Sequence, residues 1–418
     1  MISRAFIKDF FTYSAGSVIT QASNILLILF LMRYLPADQV GFFSLTTSSI
    51  LLISTLISLG LRQFFMLEFF TLSSSKKKEF VADLVTIYLM ASFVFMLFAW
   101  YAYPLINTLF FANNAQKWLY LCIMVQVFLT FFTELFYQAL MYTLKSVQVT
   151  LLKTFAALFI LLLSILSIFW FKNGVEAILI TQCISSVALC LYACLHYHKY
   201  SLFTYHDTQR TLSRARPIAM SSMPLLPMVF AGLLLASGNR WVLSLHTNLA
   251  DVAVYSLAEY VAPLFNLLIL YPLSGAYLPR IMTLFNQRPD ALQQTEAENK
   301  RLMWSSMCAL FCVGTFAYFL AKPVVLHFLP TAYHAAIPGA YAILLGNILL
   351  MGTYFSSSLL LYKKKSYHML MAITIAAVVN IGLSYMLVPF YGIQACFFSY
   401  MVAYLIYFLL IYIFNKLA

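Results

Sequence analysis

Between residues 11 and 414 the chain repeats one pattern: a long apolar run, then a short cluster of Lys, Arg, Asn, Asp or Pro. Stretches such as Ile50 to Ile57 and Leu158 to Ile165 do not alternate apolar with polar. Barrel strands would be about ten residues long and would alternate, so these runs read as helices. A helix of about 20 apolar residues crosses a hydrocarbon core about 30 Å thick. The runs predict twelve spans. Six lie at residues 11–32, 40–69, 81–103, 117–140, 149–170 and 175–196. Six more lie at 217–245, 252–275, 302–321, 338–361, 368–388 and 393–414.

Composition removes the soluble alternative. Hydrophobic residues make up 63% of the 418 and charged ones 9%. A single soluble core stops growing at about 250–300 residues, so lipid must cover much of this surface. With a cytoplasmic N-terminus, nineteen of the 25 Lys and Arg fall on cytoplasmic segments, among them Lys76, Lys77, Lys78, Arg214, Arg216, Lys363, Lys364 and Lys365. That asymmetry obeys the positive-inside rule, places both termini in the cytoplasm and accounts for the net charge of +12 without nucleic acid. The first run is too long for a cleavable signal peptide, and lipidation signals are absent. The seven Cys fall within spans, without CxxC spacing, and read as packing residues rather than a disulfide or metal set.

The two halves echo each other. Asn173-Gly174-Val175-Glu176-Ala177 corresponds to Tyr391-Gly392-Ile393-Gln394-Ala395 at an offset of 218, and Pro104-Leu105-Ile106 to Pro323-Val324-Val325 at 219. Asp38 with Phe43-Ser44-Leu45 corresponds to Asp251 with Tyr255-Ser256-Leu257, at offsets of 213 and 212. These matches predict a duplicated six-helix unit: residues 1–196 and 217–418, joined by a basic cytoplasmic linker at 197–216. An even helix count inserts both halves the same way up. In transporters built from such parallel repeats the substrate site lies between the repeats.

Several chemistries are excluded. No P-loop, HExxH or Gly-rich nucleotide fingerprint is present, and no cofactor is expected. The outward segments at 104–116 and 322–337 read as connectors, not catalytic domains. The cytoplasmic stretch Gln293 to Glu298 reads as a surface helix. His246, His327 and His334 lie on outward turns without acidic companions and read as bystanders rather than metal ligands.

Function must therefore rest on charges inside the membrane, each costing at least about 2.5–3.5 kcal/mol at a helix centre. Arg62 either snorkels to the cytoplasmic headgroups or lines a vestibule. Glu134, deep in span four, either pairs with a basic residue of its own bundle or faces a cavity. Arg240 and Glu259 flank the short turn between spans seven and eight; they form a gate, form an ion pair, or leave Arg240 to snorkel. Lys153 snorkels or joins the cavity. Asn24, Asn266 and Asn380 are mid-span amides that glue helices or touch a ligand. Pro224, Pro227 and Pro263 bend spans seven and eight, as hinges, gates or static kinks. Pro272 adds to the second bend.

The landmarks resemble the Wzx-type O-antigen flippases, the polysaccharide branch of the multidrug/oligosaccharidyl-lipid/polysaccharide (MOP) flippase superfamily. They are the turn Arg33 to Leu45 containing Leu35-Pro36-Ala37-Asp38, then Leu59-Gly60-Leu61, Met223-Pro224, Asn239-Arg240, Tyr333-His334-Ala335-Ala336, and Asn380 followed by Val388-Pro389-Phe390-Tyr391-Gly392. The resemblance implies an all-α membrane protein of two six-helix bundles forming a V-shaped cavity, in the bacterial inner membrane. It implies a non-enzymatic flippase that turns a polyprenyl-diphosphate-linked glycan from the cytoplasmic to the periplasmic leaflet. Membrane lipid, a glycan polymerase, chain-length partners and a coupling proton or sodium ion are implied companions. Arg62 and Arg240 suit a diphosphate. The chain departs from drug-exporting relatives in having no carboxylate in span one, and from other relatives in pairing Arg240 with Asn239 rather than an acid. Three alternatives stand beside this reading: an ion-coupled exporter of drugs or metabolites, a membrane glycan polymerase or acyltransferase, and a non-transporting scaffold.

Overall fold

A computed structural model describes residues 4–69, 72, 74–142, 146–171, 174–199, 208–265, 281, 292–363 and 365–417. Among these residues the chain forms helices and no strand. Lipid leaves no other choice for these runs, because a spanning segment must satisfy every backbone N–H and C=O within itself. The helices are α1 (Arg4–Tyr34), α2 (Ala37–Ile57), α3 (Leu61–Glu68), α4 (Ser74–Tyr101), α5 (Tyr103–Phe111), α6 (Lys117–Tyr142), α7 (Ser146–Phe171) and α8 (Gly174–Lys199). They continue with α9 (Thr208–Ser222), α10 (Leu226–His246), α11 (Leu249–Phe265), α12 (Leu292–Phe328), α13 (Ala336–Tyr362), α14 (Ser366–Tyr391) and α15 (Ile393–Leu417).

Ten helices among the described residues are long and apolar enough to cross a membrane. The first and eighth expected spans correspond to shorter stretches, Val18–Tyr34 within α1 and the 17 residues of α11. Asn266 and Pro272, expected in the eighth span, lie outside the described residues, as does most of the loop before α12.

Two expectations are corrected and one is refined. Span two is not one helix: it breaks at residues 58–60, where Leu59 has φ 48 and Gly60 φ 77. Span seven runs through residues 214–246 as expected, and its winding tightens at a 3-10 turn, Met223–Leu225, that carries Pro224, with Pro227 in the first turn of α10. The surface helix expected at residues 293–298 is the start of α12, continuous with the ninth span.

Packing gathers the described residues into two compact units. One comprises residues 17–41 and 231–418. In it α13 and α14 pack along α15, while α12 and α11 pack on α13. Gly339, Gly346 and Gly352 of α13 face Phe397, Tyr400 and Phe408 of α15, so the missing side chains let the helices close on each other. Met303, Met307, Met351 and Phe355 fill the core beside them.

The other unit comprises residues 3–16 and 42–230. Here α8 packs along both α6 and α7, and α9 lies on α3 and α4. Tyr88 of α4 is fully buried, stacks 3.9 Å from Phe131 and donates to the Phe128 carbonyl at 2.9 Å.

Candidate functional site

The break after α2 builds the first charged cluster. Gly60 takes a left-handed φ, which lets Leu61 bury and starts α3 with Arg62 in its first turn. Arg62 Nη2 lies 3.3 Å from Glu134 Oε2 on α6, with side chains 40% and 37% exposed. One turn on, Tyr137 is buried and carries the Lys153 ammonium of α7 over its ring, 4.8 Å from the centroid. Lys153 itself is exposed. Arg62 and Glu134 thus pair between α3 and α6, and Lys153 of α7 rests on α6 one turn further along, within one packing unit.

Exposure decides how this cluster behaves. An open ion pair in water contributes about 0–1 kcal/mol. Against hydrocarbon each charge would cost about 2.5–3.5 kcal/mol. Such a pair persists only where its open face meets water or headgroups. Glu134 lies inside the apolar span of α6, residues 117–140, rather than at its end.

The second cluster has the opposite character. Arg240 Nε donates to Glu259 Oε2 at 2.6 Å, and the side chains are 9% and 8% exposed. The guanidinium also lies over Tyr260, 5.4 Å from the ring centroid. The two residues flank the turn joining α10 to α11, as the sequence anticipated. Around them sits a buried amide and hydroxyl network that the sequence did not reveal. Asn239 Nδ2 donates to Tyr255 Oη at 2.9 Å and to the Cys396 carbonyl at 3.1 Å, and Ser384 Oγ donates to Asn239 Oδ1 at 2.7 Å. Ser384 and Ser399 hydroxyls are hydrogen bonded in turn. Asn380 Nδ2 donates to the Leu235 carbonyl at 3.1 Å, tying α14 to α10 as interhelical glue.

The structure therefore brings Arg62, Glu134 and Lys153 together in one unit, and Arg240 with Glu259 in the other. Asn24 is exposed on α1, in the unit of Arg240. Pro263 lies inside α11. His327 Nδ1 and the Pro323 carbonyl are 2.8 Å apart, His246 meets Tyr385 edge to face, and no group of three metal-ligating side chains occurs among the described residues. A third cluster went unforeseen. Arg214 of α9 lies 3.0 Å from Glu79 and 3.5 Å from Asp83, both on α4, and the Asp83 side chain is 4% exposed. Two acids one turn apart at the head of a membrane span were the available signal.

Comparison with known proteins follows this geometry. Polysaccharide biosynthesis proteins match residues 6–285. No curated protein matches the sequence. Among solved structures, the lipid II flippase MurJ in an inward closed conformation is 14% identical with a TM-score of 0.78, covering 97% of this chain and 87% of its own. An inward-facing multidrug resistance MATE family transporter of the MOP superfamily is 14% identical with a TM-score of 0.71, covering 98% and 97%. Its outward-facing counterpart reaches 0.62 at 14% identity, covering 98% and 95%. At such identities the likeness speaks for the fold alone. A family match over most of its length and a shared architecture together place the chain: it belongs to the polysaccharide biosynthesis protein family, as a multi-pass membrane protein with the fold of MOP-superfamily transporters.

Proposed function

We propose that this chain flips a polyprenyl-diphosphate-linked oligosaccharide, such as an O-antigen or related surface-glycan repeat unit, from the cytoplasmic to the periplasmic leaflet of a bacterial inner membrane by alternating access. The observation that carries the reading is the half-exposed Arg62–Glu134 pair, with Lys153 over Tyr137 one turn further along α6. A diphosphate competes with Glu134 for Arg62 because it brings more charge and accepts the guanidinium fork in a bidentate way. Lys153, held over the Tyr137 ring, supplies a second cation as a point charge. Two cations of unequal commitment suit a cargo that must be released as well as bound. Any change of state then comes from binding the diphosphate more tightly in one conformation than in the other.

Arg240 takes a different part in this proposal. Buried and paired with Glu259, it braces α10 against α11 and does not meet cargo in this conformation. The duplicated halves, residues 1–196 and 217–418 joined by 197–216, supply the paired helical bundles such a cycle needs. A glycan polymerase and chain-length proteins receive the product, and a proton or sodium gradient drives turnover.

The test is surface-glycan assembly in cells whose own copy is deleted, with protein levels matched. Arg62→Ala and Lys153→Ala lower assembly roughly tenfold, the size of one charge-assisted contact, while Lys365→Ala stays near wild type. Assembly by Arg62→Ala equal to that by Lys365→Ala would remove the cationic site. Transport of cationic dyes by the purified protein without polyprenyl-diphosphate binding would favour the exporter reading instead.

A further inference from the structure

A diphosphate held at Arg62 and Lys153 leaves the carrier's hydrocarbon chain without a place, and the same unit contains one. A cavity of about 660 Å³ runs along α7 and α8, with α6 contributing one residue. It exists because α7 packs along α8 and only lightly against α6. Its walls include Leu152, Phe155 and Phe159 of α7, Leu189 and Tyr192 of α8, and Thr133 of α6. Phe155 and Phe159 stack with rings 12° apart and centroids 6.1 Å apart, forming a flat aromatic side. Thr133 donates to the Thr130 carbonyl and Ser185 to the Thr181 carbonyl. Gln148, Ser186 and Tyr192 add polar groups to a lining that is otherwise apolar.

The cavity adjoins the charged cluster. Thr133 precedes Glu134, Leu152 precedes Lys153, and the lining residue Ala156 stands one turn beyond Lys153 on α7. A cation beside an apolar channel complements a ligand with an anionic head and a hydrocarbon tail. The volume lies within the roughly 300–1,000 Å³ of small-molecule sites, so it takes a segment of a long chain and not all of it.

We infer that the head-proximal isoprene units of the polyprenyl carrier occupy this groove while the diphosphate sits at Lys153 and Arg62; the inference rests on the proposed flippase reading. A chain leaving the bilayer for the groove gains no hydrophobic energy, because lipid is as apolar as the lining. The groove therefore acts by packing. It orients the head toward the cations and discriminates a methyl-branched chain from straight acyl chains.

Photo-crosslinking of the full-length protein tests this. Radiolabelled C55 polyprenyl diphosphate is the probe, in phosphatidylcholine nanodiscs, with p-benzoylphenylalanine replacing Phe155, Phe159 or, as a control, Phe319, an exposed residue of α12. Crosslinks at the first two positions exceed the control roughly threefold to tenfold, the range of packing contacts between membrane helices. Ala156→Trp and, separately, Ala188→Phe fill the groove and bring the yield down to the control level, while thermal unfolding of either protein is unchanged. Excess phosphatidylglycerol does not compete. Equal yields at all three positions, or full competition by phosphatidylglycerol, would overturn the groove assignment. The head site is read separately in the same assay. If Arg62→Ala and Lys153→Ala weaken probe binding but no position is enriched, the groove falls and the diphosphate site stands. If enrichment at Phe155 persists undiminished in both variants, the groove stands and the diphosphate reading falls.

Discussion

Arg62 and Arg240 carry the same charge into the membrane and meet opposite fates. Arg240 faces a carboxylate across a tight turn and is sealed, whereas Arg62 faces one across two helices and stays open. Breaking a buried pair from one side strands the other charge and costs about 3–5 kcal/mol, while replacing both by apolar groups of similar size is often neutral. Arg240→Met alone is therefore expected to destabilise the protein by about 3–5 kcal/mol, and Arg240→Met with Glu259→Leu to recover most of it. Thermal unfolding of the purified variants reads this directly; a double variant no better than the single one would show that Arg240 works through other contacts. The Arg240–Glu259 pair was legible beforehand because its members flank one short connection. Arg62–Glu134 was legible only as two separate candidates, since their meeting depends on how α3 and α6 are rotated about their axes.

The helices themselves were largely readable, and the breaks in them were not. Ser58-Leu59-Gly60 carries neither charge nor proline, so span two looked continuous. The turn there is set by Gly60, whose φ of 77 suits no side chain well and whose added Cβ would strike the Ser222 carbonyl. Gly382 of α14 has ordinary helical surroundings with nothing within 4 Å of an added Cβ. Gly60→Ala is expected to lose the roughly 1–2 kcal/mol of a left-handed residue and more for the collision. Gly382→Ala is expected to be neutral or to gain up to about 1 kcal/mol from helix propensity. Unfolding midpoints that move equally in both variants would argue that the α2–α3 break can relax. Pro224 was a good marker of irregularity in span seven, but whether it bends a helix or ends one depends on the 3-10 turn around it.

The distribution of basic residues gives an expected orientation of the chain that is open to direct measurement. In a background lacking native Cys, Asn114→Cys and Pro330→Cys should react with a membrane-impermeant maleimide from outside intact cells. Lys76→Cys should react only after permeabilisation. The reverse pattern would invert the assignment of cytoplasmic and outer faces. That the chain is helical, spans the membrane repeatedly and carries few intramembrane charges was settled by sequence, because run length and backbone self-satisfaction in lipid are local demands. Which charges are sealed and which stay open, where Asn239, Tyr255 and Ser384 converge, and that an apolar groove lies beside Lys153 were decided only by the fold. These depend on the rotation and spacing of helices far apart in sequence, and no pattern along a single run encodes them.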